Sequence, residues 1–465
     1  MNAQKWVDTL YSIQSQQNIE YGIAEDFAGN MRHLLLDISY PTNDTIPICG
    51  RPLMVMVHGG SFLGGSKEDP VLKQLTIDFA KRGYFTANIN YLLGMFQTEK
   101  EVHCNVTGIF NTPWDCSNMA DSSEWYRGNF RGMQDMKGAI RYLVNRAADY
   151  HIDPQQVFLV GESAGGFIAM QTAYLDDETE KHASCFALED VLAPNAIYEM
   201  TCVQNLGFDT SIVSLNLQRP DLGSIEGTLN LENVPYLIKG VGNFYGGMMQ
   251  NLFSVNTYVK PPKLYLYHQP NDLVVPFQQA KVLDGLNAFF SNNFGCANLI
   301  NRPIVTGSAG IRSWIDTISA AGNLVPEYYI DFTNNFADAW TQFLNPVTNG
   351  HSVPDYWLHS NRLATFFASA IDSCLSSTVR NEESNLTWTV FPNPTSSRFS
   401  LRSNSIHKLN SIELINPLGE ILFQWQIEES RDQVQIDFPK HFSTGIYFLR
   451  IKSGPFIEIK RVVIQ

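Results

Sequence analysis

Short apolar runs alternate with helical patterns along most of the chain. The runs are nearly continuous in apolar residues, which predicts strands that are buried on both faces. They are HLLLDIS (33–39), LMVMVH (53–58), YFTANINY (84–91), QVFLVG (156–161), YLIKGVGNF (236–244), KLYLYH (263–268) and YYIDF (328–332). Between them lie patterns with apolar residues at three- and four-residue steps, VLKQLTIDFAKRG (71–83) and MQDMKGAIRYLVNRAADY (133–150). This alternation predicts a doubly wound, mostly parallel sheet with helices on both sides.

Three connections are longer than such a unit requires, at about 93–127, 175–235 and 292–326. Long insertions in compact folds are often lids or binding loops. The first insertion is rich in aromatic residues, which are Phe96, Phe110, Trp114, Trp125 and Tyr126. We interpret it as a wall of a substrate site. Surface loops without function, or rings that pack a disulfide loop, are the alternatives.

The pattern changes towards the end of the chain. A polar stretch, SSTVRNEESNLTWT (376–389), is followed only by short strand and turn patterns. We therefore predict a catalytic domain over 1–378, a linker over 379–388 and a small all-β sandwich over 389–465. The sandwich contains no constellation of catalytic residue types, so we assign no chemistry to it.

Composition and charge limit the partners. With 465 residues, 44% of them hydrophobic, the chain can bury more than one core, which favours a large domain plus a small one. A net charge of -14 argues against nucleic acid or an anionic membrane as partner. We expect no transmembrane segment, because no apolar run approaches about 18 residues. The first residues, MNAQKWVDTLYS, lack a signal-peptide pattern, so we expect either a cytoplasmic protein or a mature form without its leader.

Cysteine spacing favours disulfide bonds over a metal site. None of the seven cysteines forms a C-x-x-C pair, so we predict no zinc site. Cys104 and Cys116 flank one loop, and Cys185 and Cys202 flank another segment. We hypothesise that each of these is a disulfide pair, which requires an oxidising compartment.

The segment GESAGG (161–166) places Ser163 between a strand pattern and a helical one. Small residues two before and two after a serine are needed at a sharp strand-to-helix turn, because that turn is sterically crowded. The turn exposes the hydroxyl above the sheet and places it at a helix N-terminus, where free amides favour negative charge. We therefore predict that Ser163 is a catalytic nucleophile.

A serine nucleophile needs a base and a group that orients the base. In doubly wound hydrolases the chain order is serine, acid, histidine. Between the last strand pattern and the linker lie His351, in a loop with Gly and Pro, and His359, which we expect to be a partly exposed residue at a helix start. We choose His351 as base. We choose Asp272, directly after a buried strand, as acid.

The alternatives for the acid are Asp331, within a strand pattern, and Asp338, in the segment that follows it. Neither has the strand-end position of Asp272.

The segment VHGGSFLGG (57–65) follows a buried strand. Glycines there let backbone amides point into a pocket, as in the H-G-G loop of lipases and esterases. We predict Gly60, Ser61 and Ala164 as oxyanion donors and His58 as a structural brace of the loop. We predict substrate contacts for four residues near the nucleophile and in the first insertion, Phe62, Glu162, Trp114 and Trp125.

With these motifs, residues 20–375 resemble the α/β-hydrolase superfamily, nearest to carboxylesterases with both the H-G-G loop and G-E-S-A-G-G. The stretch MQDMKGAIRYLVNRAADYHIDPQQV (133–157) resembles that group too. Ser61 stands where many relatives have a third glycine, and the acid is Asp rather than the Glu of larger type-B esterases. These departures leave the acyl and alcohol preferences open.

The last residues resemble the sorting domain of cargo of the bacterial type IX secretion system. The motifs are FPNPTSSRFSL (391–401), NPLGE (416–420), GIYFLRI (445–451) and KRVVIQ (460–465). The resemblance implies a leader that is absent from this sequence, export to the surface or exterior of a Gram-negative bacterium, and the secretion machinery as partner. An ordinary accessory β-sandwich is the alternative.

These expectations combine into a secreted serine esterase that needs no metal or organic cofactor. Its substrate would be an environmental ester, such as an acyl group on a polysaccharide, an aromatic ester, a lipid or a polyester. A serine peptidase of the prolyl-oligopeptidase type and an inactive hydrolase-fold binding module are the alternatives.

Overall fold

The protein consists of two compact units, Met1–Ser373 and Cys374–Gln465. The computed structural model describes residues 4–96, 119–190, 218–232, 234–253, 261–285, 302–333, 350–372, 388–416, 420–438, 442–453 and 456–464. Each unit has its own apolar core among these residues.

The first unit is built on one large sheet. Its strands are β1 (Ile13–Glu25), β2 (Met31–Pro41), β3 (Arg51–Val57), β4 (Phe85–Ile89), β5 (Ile152–Glu162), β6 (Ile238–Phe244), β7 (Lys263–Tyr267) and β10 (Tyr328–Asp331). The spatial order is β1-β2-β4-β3-β5-β6-β7-β10. β1, β2 and β4 pair antiparallel, and every pairing from β4 to β10 is parallel. The predicted α/β-hydrolase type of sheet is confirmed. Two short strands, β8 (Gln279–Lys281) and β9 (Ile304–Thr306), pair outside this sheet.

Helices cover both faces of the sheet. They are α1 (Pro70–Lys81), α2 (Ser123–Val144), α3 (Ala147–Tyr150), α4 (Ala164–Tyr174), α5 (Ser308–Ala320) and α6 (Tyr356–Ala368), with 3-10 turns at Glu178–Glu180 and Ala183–Cys185. The central strand β3 is buried along its whole length. Leu53, Val55 and Val57 join the core with α2 and α4, and Met54 and Met56 join the core with α1 and α6. Alternation of side chains along a strand explains why both faces are apolar.

Helix α2 is longer than the apolar pattern predicted. It begins at Ser123, inside the predicted insertion at 93–127. Gly128 and Gly132 weaken helix propensity but permit close packing. A Cβ on Gly132 would lie 2.5 Å from Ile168 Cδ1, and one on Gly128 would lie 3.2 Å from Phe62 Cβ. Tertiary packing therefore supports the first turns of this helix.

The second unit is all-β. Its strands are β11 (Trp388–Phe391), β12 (Arg398–Ile415), β13 (Ile421–Asp437), β14 (Gly445–Ser453) and β15 (Phe456–Ile464), and all pair antiparallel. The predicted all-β class is confirmed, but β12 and β13 are much longer than the short strands expected. The β12–β13 register shifts at several points, and such bulges interrupt the period-two pattern by which a long strand is identified.

None of the helices in the described ranges combines the length and apolar character that a bilayer crossing requires.

Candidate active site

Ser163 lies on a tight turn between β5 and α4. Its backbone has φ 51° and ψ -123°, a conformation that costs on the order of 1–3 kcal/mol for a non-glycine residue. A Cβ on Gly161 would lie 2.1 Å from the Gly165 carbonyl oxygen, and one on Gly165 would lie 2.2 Å from the Val57 oxygen. These contacts show that the turn is crowded, as the sequence predicted, and they explain why both positions are glycine.

The side chains of Ser163, His351 and Asp272 form a continuous chain of hydrogen bonds. Ser163 Oγ lies 2.8 Å from His351 Nε2, and His351 Nδ1 lies 2.7 Å from Asp272 Oδ2. The carboxylate accepts at Nδ1, so the Nδ1 nitrogen carries the proton and Nε2 is left to accept from the hydroxyl. The structure thus brings together the three residues that the sequence pointed to.

Asp272 is held in a turn directly after β7. Its Oδ1 accepts from the amides of Val274 (2.8 Å) and Val275 (3.1 Å). Burial by itself raises the pKa of this carboxyl group, but its interactions with His351 and His268 outweigh burial and hold the pKa below its usual value. The group is therefore ionised at neutral pH, as an acceptor for the His351 ring must be.

The loop that follows β3 passes next to Ser163 and is sharply bent. Gly60, Ser61 and Phe62 all have positive φ, at 109°, 55° and 60°. A Cβ on Gly59 would lie 2.9 Å from Ser163 Cβ, so the loop runs directly past the hydroxyl-bearing residue. Within the described ranges the amides of Gly60, Ser61 and Ala164 donate to no backbone carbonyl. An oxyanion donor needs an amide that is not already bonded to a carbonyl.

Phe62, which belongs to this loop, packs against Trp125, and both are predicted substrate contacts. Their ring centroids are 6.4 Å apart, and Phe167 packs against Phe62 at 6.5 Å. Both side chains are buried, so the contacts that the structure gives them are packing contacts. Trp114 lies outside the described residues. Substrate contact by these residues stays a prediction.

Glu162, the fourth predicted contact, belongs to a buried polar network beside His351. Tyr245 donates its hydroxyl to Glu162 Oε2 at 2.7 Å, and the Tyr245 ring lies edge-on to His351 at 4.6 Å. Burial, and then the charge of Asp69, raise the pKa of Glu162 to about 7. Asp69 Oδ1 accepts the amides of Val71 and Leu72 at the start of α1.

His359 is not the partly exposed residue that we expected. Its side chain is fully buried, because α6 presents it to the sheet, where the Tyr267 ring lies 4.3 Å away. Its Nδ1 lies 2.6 Å from Asp331 Oδ2. Asp331, an alternative acid in the sequence analysis, thus pairs with His359. Asp338 lies outside the described residues.

His58 has the surroundings of a structural brace. It is buried, its Nδ1 lies 2.7 Å from the Gly59 oxygen, and its ring stacks on Tyr91 at 4.5 Å. Burial lowers the pKa of His58 to about 4, so the ring is neutral at physiological pH.

Sequence reasoning missed two side chains next to the hydrogen-bonded chain, Tyr245 and His268. Tyr245 directly follows the predicted strand at 236–244, and His268 is the last residue of the predicted strand at 263–268; in the structure they directly follow β6 and β7. That position at the carboxyl end of a parallel strand is the signal that could have identified them.

One of the disulfide hypotheses is wrong. Cys185 is a buried free thiol, and its Sγ lies 3.8 Å from the Tyr126 oxygen. Burial raises the pKa of this thiol to about 12, so it is unreactive. The spacing of Cys185 and Cys202 alone did not reveal that Cys185 belongs to the core beside α2. Cys104, Cys116 and Cys202 lie outside the described residues.

A cavity of about 310 Å³ has a lining that does not include Ser163. It is formed by the β1–β2 turn, one face of α2 and residues 218–229. Its buried Arg127 donates to three backbone carbonyls, those of Ser184, Phe186 and Pro220. The Arg127 guanidinium therefore connects α2 to these backbone segments and has a structural role.

Comparison with known families identifies two segments. Residues 131–286 match the BD-FAE family model, and residues 389–465 match the Secretion system C-terminal sorting domain. The first match includes Ser163 and Asp272 and ends before His351.

Two curated relatives match short segments. One is Fumonisin B1 esterase of Sphingopyxis macrogoltabida, 29% identical over 116 residues, which are 25% of this chain and 18% of that protein. Another is Neuroligin-like protein glit-1 of Caenorhabditis elegans, 32% identical over 114 residues, 24% of this chain and 12% of that protein. The chain thus spans less than a fifth of the length of either relative.

Solved esterases align over most of the chain at low identity. Esterase B from Lactobacillus rhamnosis aligns with a TM-score of 0.37 and 12% identity, over 77% of this chain and 86% of that one. Esterase 2 of Thermogutta terrifontis aligns with a TM-score of 0.36 and 14% identity in its cyclosarin-phosphonylated form, over 77% of this chain and 93% of that one. Because both TM-scores are below 0.5, the fold assignment rests on the sheet topology. The sheet topology is that of an α/β-hydrolase fold, residues 131–286 are similar to the BD-FAE family, and residues 389–465 are similar to the C-terminal sorting domain of a secretion system.

Proposed function

We propose that the first unit is a serine carboxylic-ester hydrolase with Ser163 as nucleophile, His351 as general base and Asp272 as the group that orients the base. The observation that carries the proposal is the unbroken chain of short hydrogen bonds from Ser163 Oγ through the His351 ring to Asp272. A serine hydroxyl is a weak nucleophile at neutral pH, and this arrangement supplies the base that it needs.

The reaction proceeds in two acyl-transfer steps. His351 Nε2 takes the proton of Ser163 Oγ while the oxygen attacks the ester carbonyl carbon. The imidazolium then gives that proton to the leaving alkoxide, which departs as the alcohol, and an acyl group stays on Ser163. In the second step His351 takes a proton from water, which attacks the acyl carbonyl, and returns it to Ser163 as the acid leaves.

The amides of Gly60, Ser61 and Ala164 would donate to the oxyanion of both tetrahedral intermediates. Ala164 is the first residue of α4, so the helix N-terminus adds its partial positive charge. Losing one such donor typically costs about 2.7–4 kcal/mol of transition-state stabilisation.

We further propose that the enzyme is exported by a type IX secretion system and acts on an ester outside the cell. The match of residues 389–465 to a secretion sorting domain supports export. The match to an esterase family and the esterase name of one relative favour an ester over a peptide. Polysaccharide-linked, aromatic, lipid and polymeric esters are all compatible with this proposal.

Initial rates on p-nitrophenyl esters from acetyl to palmitoyl test the proposal, with Ser163→Ala beside the wild type. The expected result is turnover by the wild type, an optimum of acyl length, and loss of activity in Ser163→Ala. Ser319→Ala removes an exposed hydroxyl from α5 and serves as the matched control with unchanged rates. Peptide p-nitroanilides run in parallel. Turnover of these alone would favour the peptidase, and no turnover of either class would favour a binding module.

A further inference from the structure

We infer that His268 is a positioning residue of this site: it holds the Asp272 carboxylate in the orientation that the His351 ring requires. The inference rests on the proposed function for its kinetic consequence. Its structural basis is independent of the reaction.

His268 lies directly behind the carboxylate, at the end of β7, and is completely buried. Its Nε2 is 3.1 Å from Asp272 Oδ2 and 3.0 Å from the Val275 carbonyl oxygen. Its Nδ1 faces Ser308, at 3.1 Å from the hydroxyl and 3.4 Å from the amide nitrogen. Both ring nitrogens therefore have hydrogen-bond partners.

These partners determine which nitrogen carries the proton. Both groups at Nε2 are acceptors, so Nε2 donates to Asp272. The Ser308 amide is a donor, at the first residue of α5, so Nδ1 accepts. The ring is also tightly packed, since a Cβ on Gly307 would lie 3.1 Å from His268 Cε1. Its tautomer and orientation are thus set by the ends of β7 and α5.

With His268, the carboxylate of Asp272 has four donors. Oδ1 accepts two amides, of Val274 and Val275, and Oδ2 accepts His351 Nδ1 and His268 Nε2. Donors on both oxygens fix the plane of the carboxylate as well as its position. Without His268, His351 would be the one donor to Oδ2 among the residues that the structure describes, and the group that orients the base would rely on that base for its own orientation.

A neutral ring suits this role better than a cation would. An ammonium or guanidinium group at this place would neutralise Asp272 and weaken its stabilisation of the His351 imidazolium. The neutral His268 donates one hydrogen bond and leaves the net negative charge in place. Its contribution is therefore geometric, with a modest electrostatic part.

Variants at position 268 can test whether a donor at the position of Nε2 is what matters. Gln can place an amide nitrogen near the position of His Nε2, whereas Asn reaches only the position of Nδ1, and Met keeps volume without any donor. We expect His268→Met and His268→Asn to lower kcat roughly ten- to a hundredfold, the worth of one hydrogen bond to a charged group. His268→Gln should recover most of that loss, and KM should stay within a factor of about two.

The second buried histidine, His359, provides the matched control. It is as buried as His268 and also bonds to an aspartate. His359→Met should lower the melting temperature and leave kcat within about threefold of the wild type. Equal kcat losses in the His268 and His359 variants would overturn the inference, as would equal rates for His268→Gln and His268→Asn. If His268→Met does not fold, the Gln and Asn variants still decide the question.

A readout without substrate separates this inference from the proposed function. In proton NMR, the Nδ1 proton of His351 bonded to Asp272 should give a low-field resonance that weakens or shifts in His268→Asn and not in His359→Met. If Ser163→Ala hydrolyses esters as well as the wild type, the proposed function fails while this resonance still tests His268. An unchanged resonance in His268→Asn contradicts the positioning role itself.

Discussion

Two histidine–aspartate pairs lie at the carboxyl ends of the neighbouring parallel strands β7 and β10. His351 bonds to Asp272 at 2.7 Å, and His359 bonds to Asp331 at 2.6 Å, in both cases through Nδ1. Both carboxylates have a pKa held below the usual range by hydrogen bonds and charge that outweigh burial. By distance and electrostatics alone, the two pairs are hard to tell apart.

The pairs differ in what the second ring nitrogen meets. His351 Nε2 is 2.8 Å from Ser163 Oγ, and 9% of the His351 side chain is exposed. His359 Nε2 has no hydrogen-bond partner in the described part of the chain, and its side chain is fully buried within α6 packing. A loop carries the first histidine to the serine, and a helix holds the second one in the core. A histidine–aspartate pair is therefore a catalytic candidate only when the remaining nitrogen meets a nucleophile.

The largest expected difference between the pairs is catalytic. Asp272→Asn would put a donor opposite His351 Nδ1, favour the wrong tautomer and lower kcat by roughly 10⁴-fold. Asp331→Asn would leave kcat within about threefold of the wild type. Steady-state rates on the best p-nitrophenyl ester check both values. Comparable losses in the two variants would remove the functional distinction between the pairs.

The second expected difference is in the free energy of unfolding, and here the larger loss is expected for the His359 pair. His359→Ala leaves a cavity and removes one partner of a buried carboxylate, so unfolding should become easier by about 3 kcal/mol. His351→Ala acts at a partly accessible site and should cost less. Urea unfolding of the two variants, followed by circular dichroism, measures this order, and a reversed order would contradict the structural role of His359.

The pH dependence of stability should follow the lowered pKa of Asp331. A carboxyl group with a folded-state pKa below its unfolded value stabilises the fold above the unfolded value, about 3.9, and the stabilisation is lost as pH falls through the folded-state pKa. The gap in unfolding free energy between wild type and Asp331→Asn should therefore be full at pH 7 and shrink below about pH 4. Unfolding midpoints from pH 3 to pH 7 test the trend, and a gap that grows towards acid would refute it.

The smallest effect concerns Glu162, a buried carboxylic acid that lies beside the His351 pair through its bond to Tyr245. Its raised pKa of about 7 means that wild-type stability falls as pH rises from about 4.3 towards 7 and levels off above it. Gln cannot ionise, so Glu162→Gln should gain stability relative to the wild type over that range.

The kinetic effect of Glu162→Gln should stay within a few-fold, because Gln resembles the protonated acid bonded to Tyr245. Unfolding and kcat measured in parallel from pH 5 to pH 8 give both curves. A constant stability difference across this range would mean that Glu162 does not titrate there.

Sequence reasoning succeeded where the physical signal is local. The G-E-S-A-G-G segment predicts a crowded turn, and the contacts of Gly161 and Gly165 explain the glycines there. It was less successful where packing overrides the local pattern. Helix α2 begins at Ser123 despite two glycines, Cys185 is a free thiol in the core, and His359 is buried.

The sequence by itself determined the alternation of strands and helices, the two-unit composition and the strand ends at which Ser163 and Asp272 lie, because apolar period and turn sterics act over a few residues. Chain order and a loop position also pointed to His351 and Asp272, but only the tertiary structure shows that His359 is buried and pairs with Asp331, and that His268 contacts Asp272. These choices depend on which strands are neighbours and how a loop or helix crosses their ends. Such contacts join residues far apart in the chain, and no local pattern encodes them.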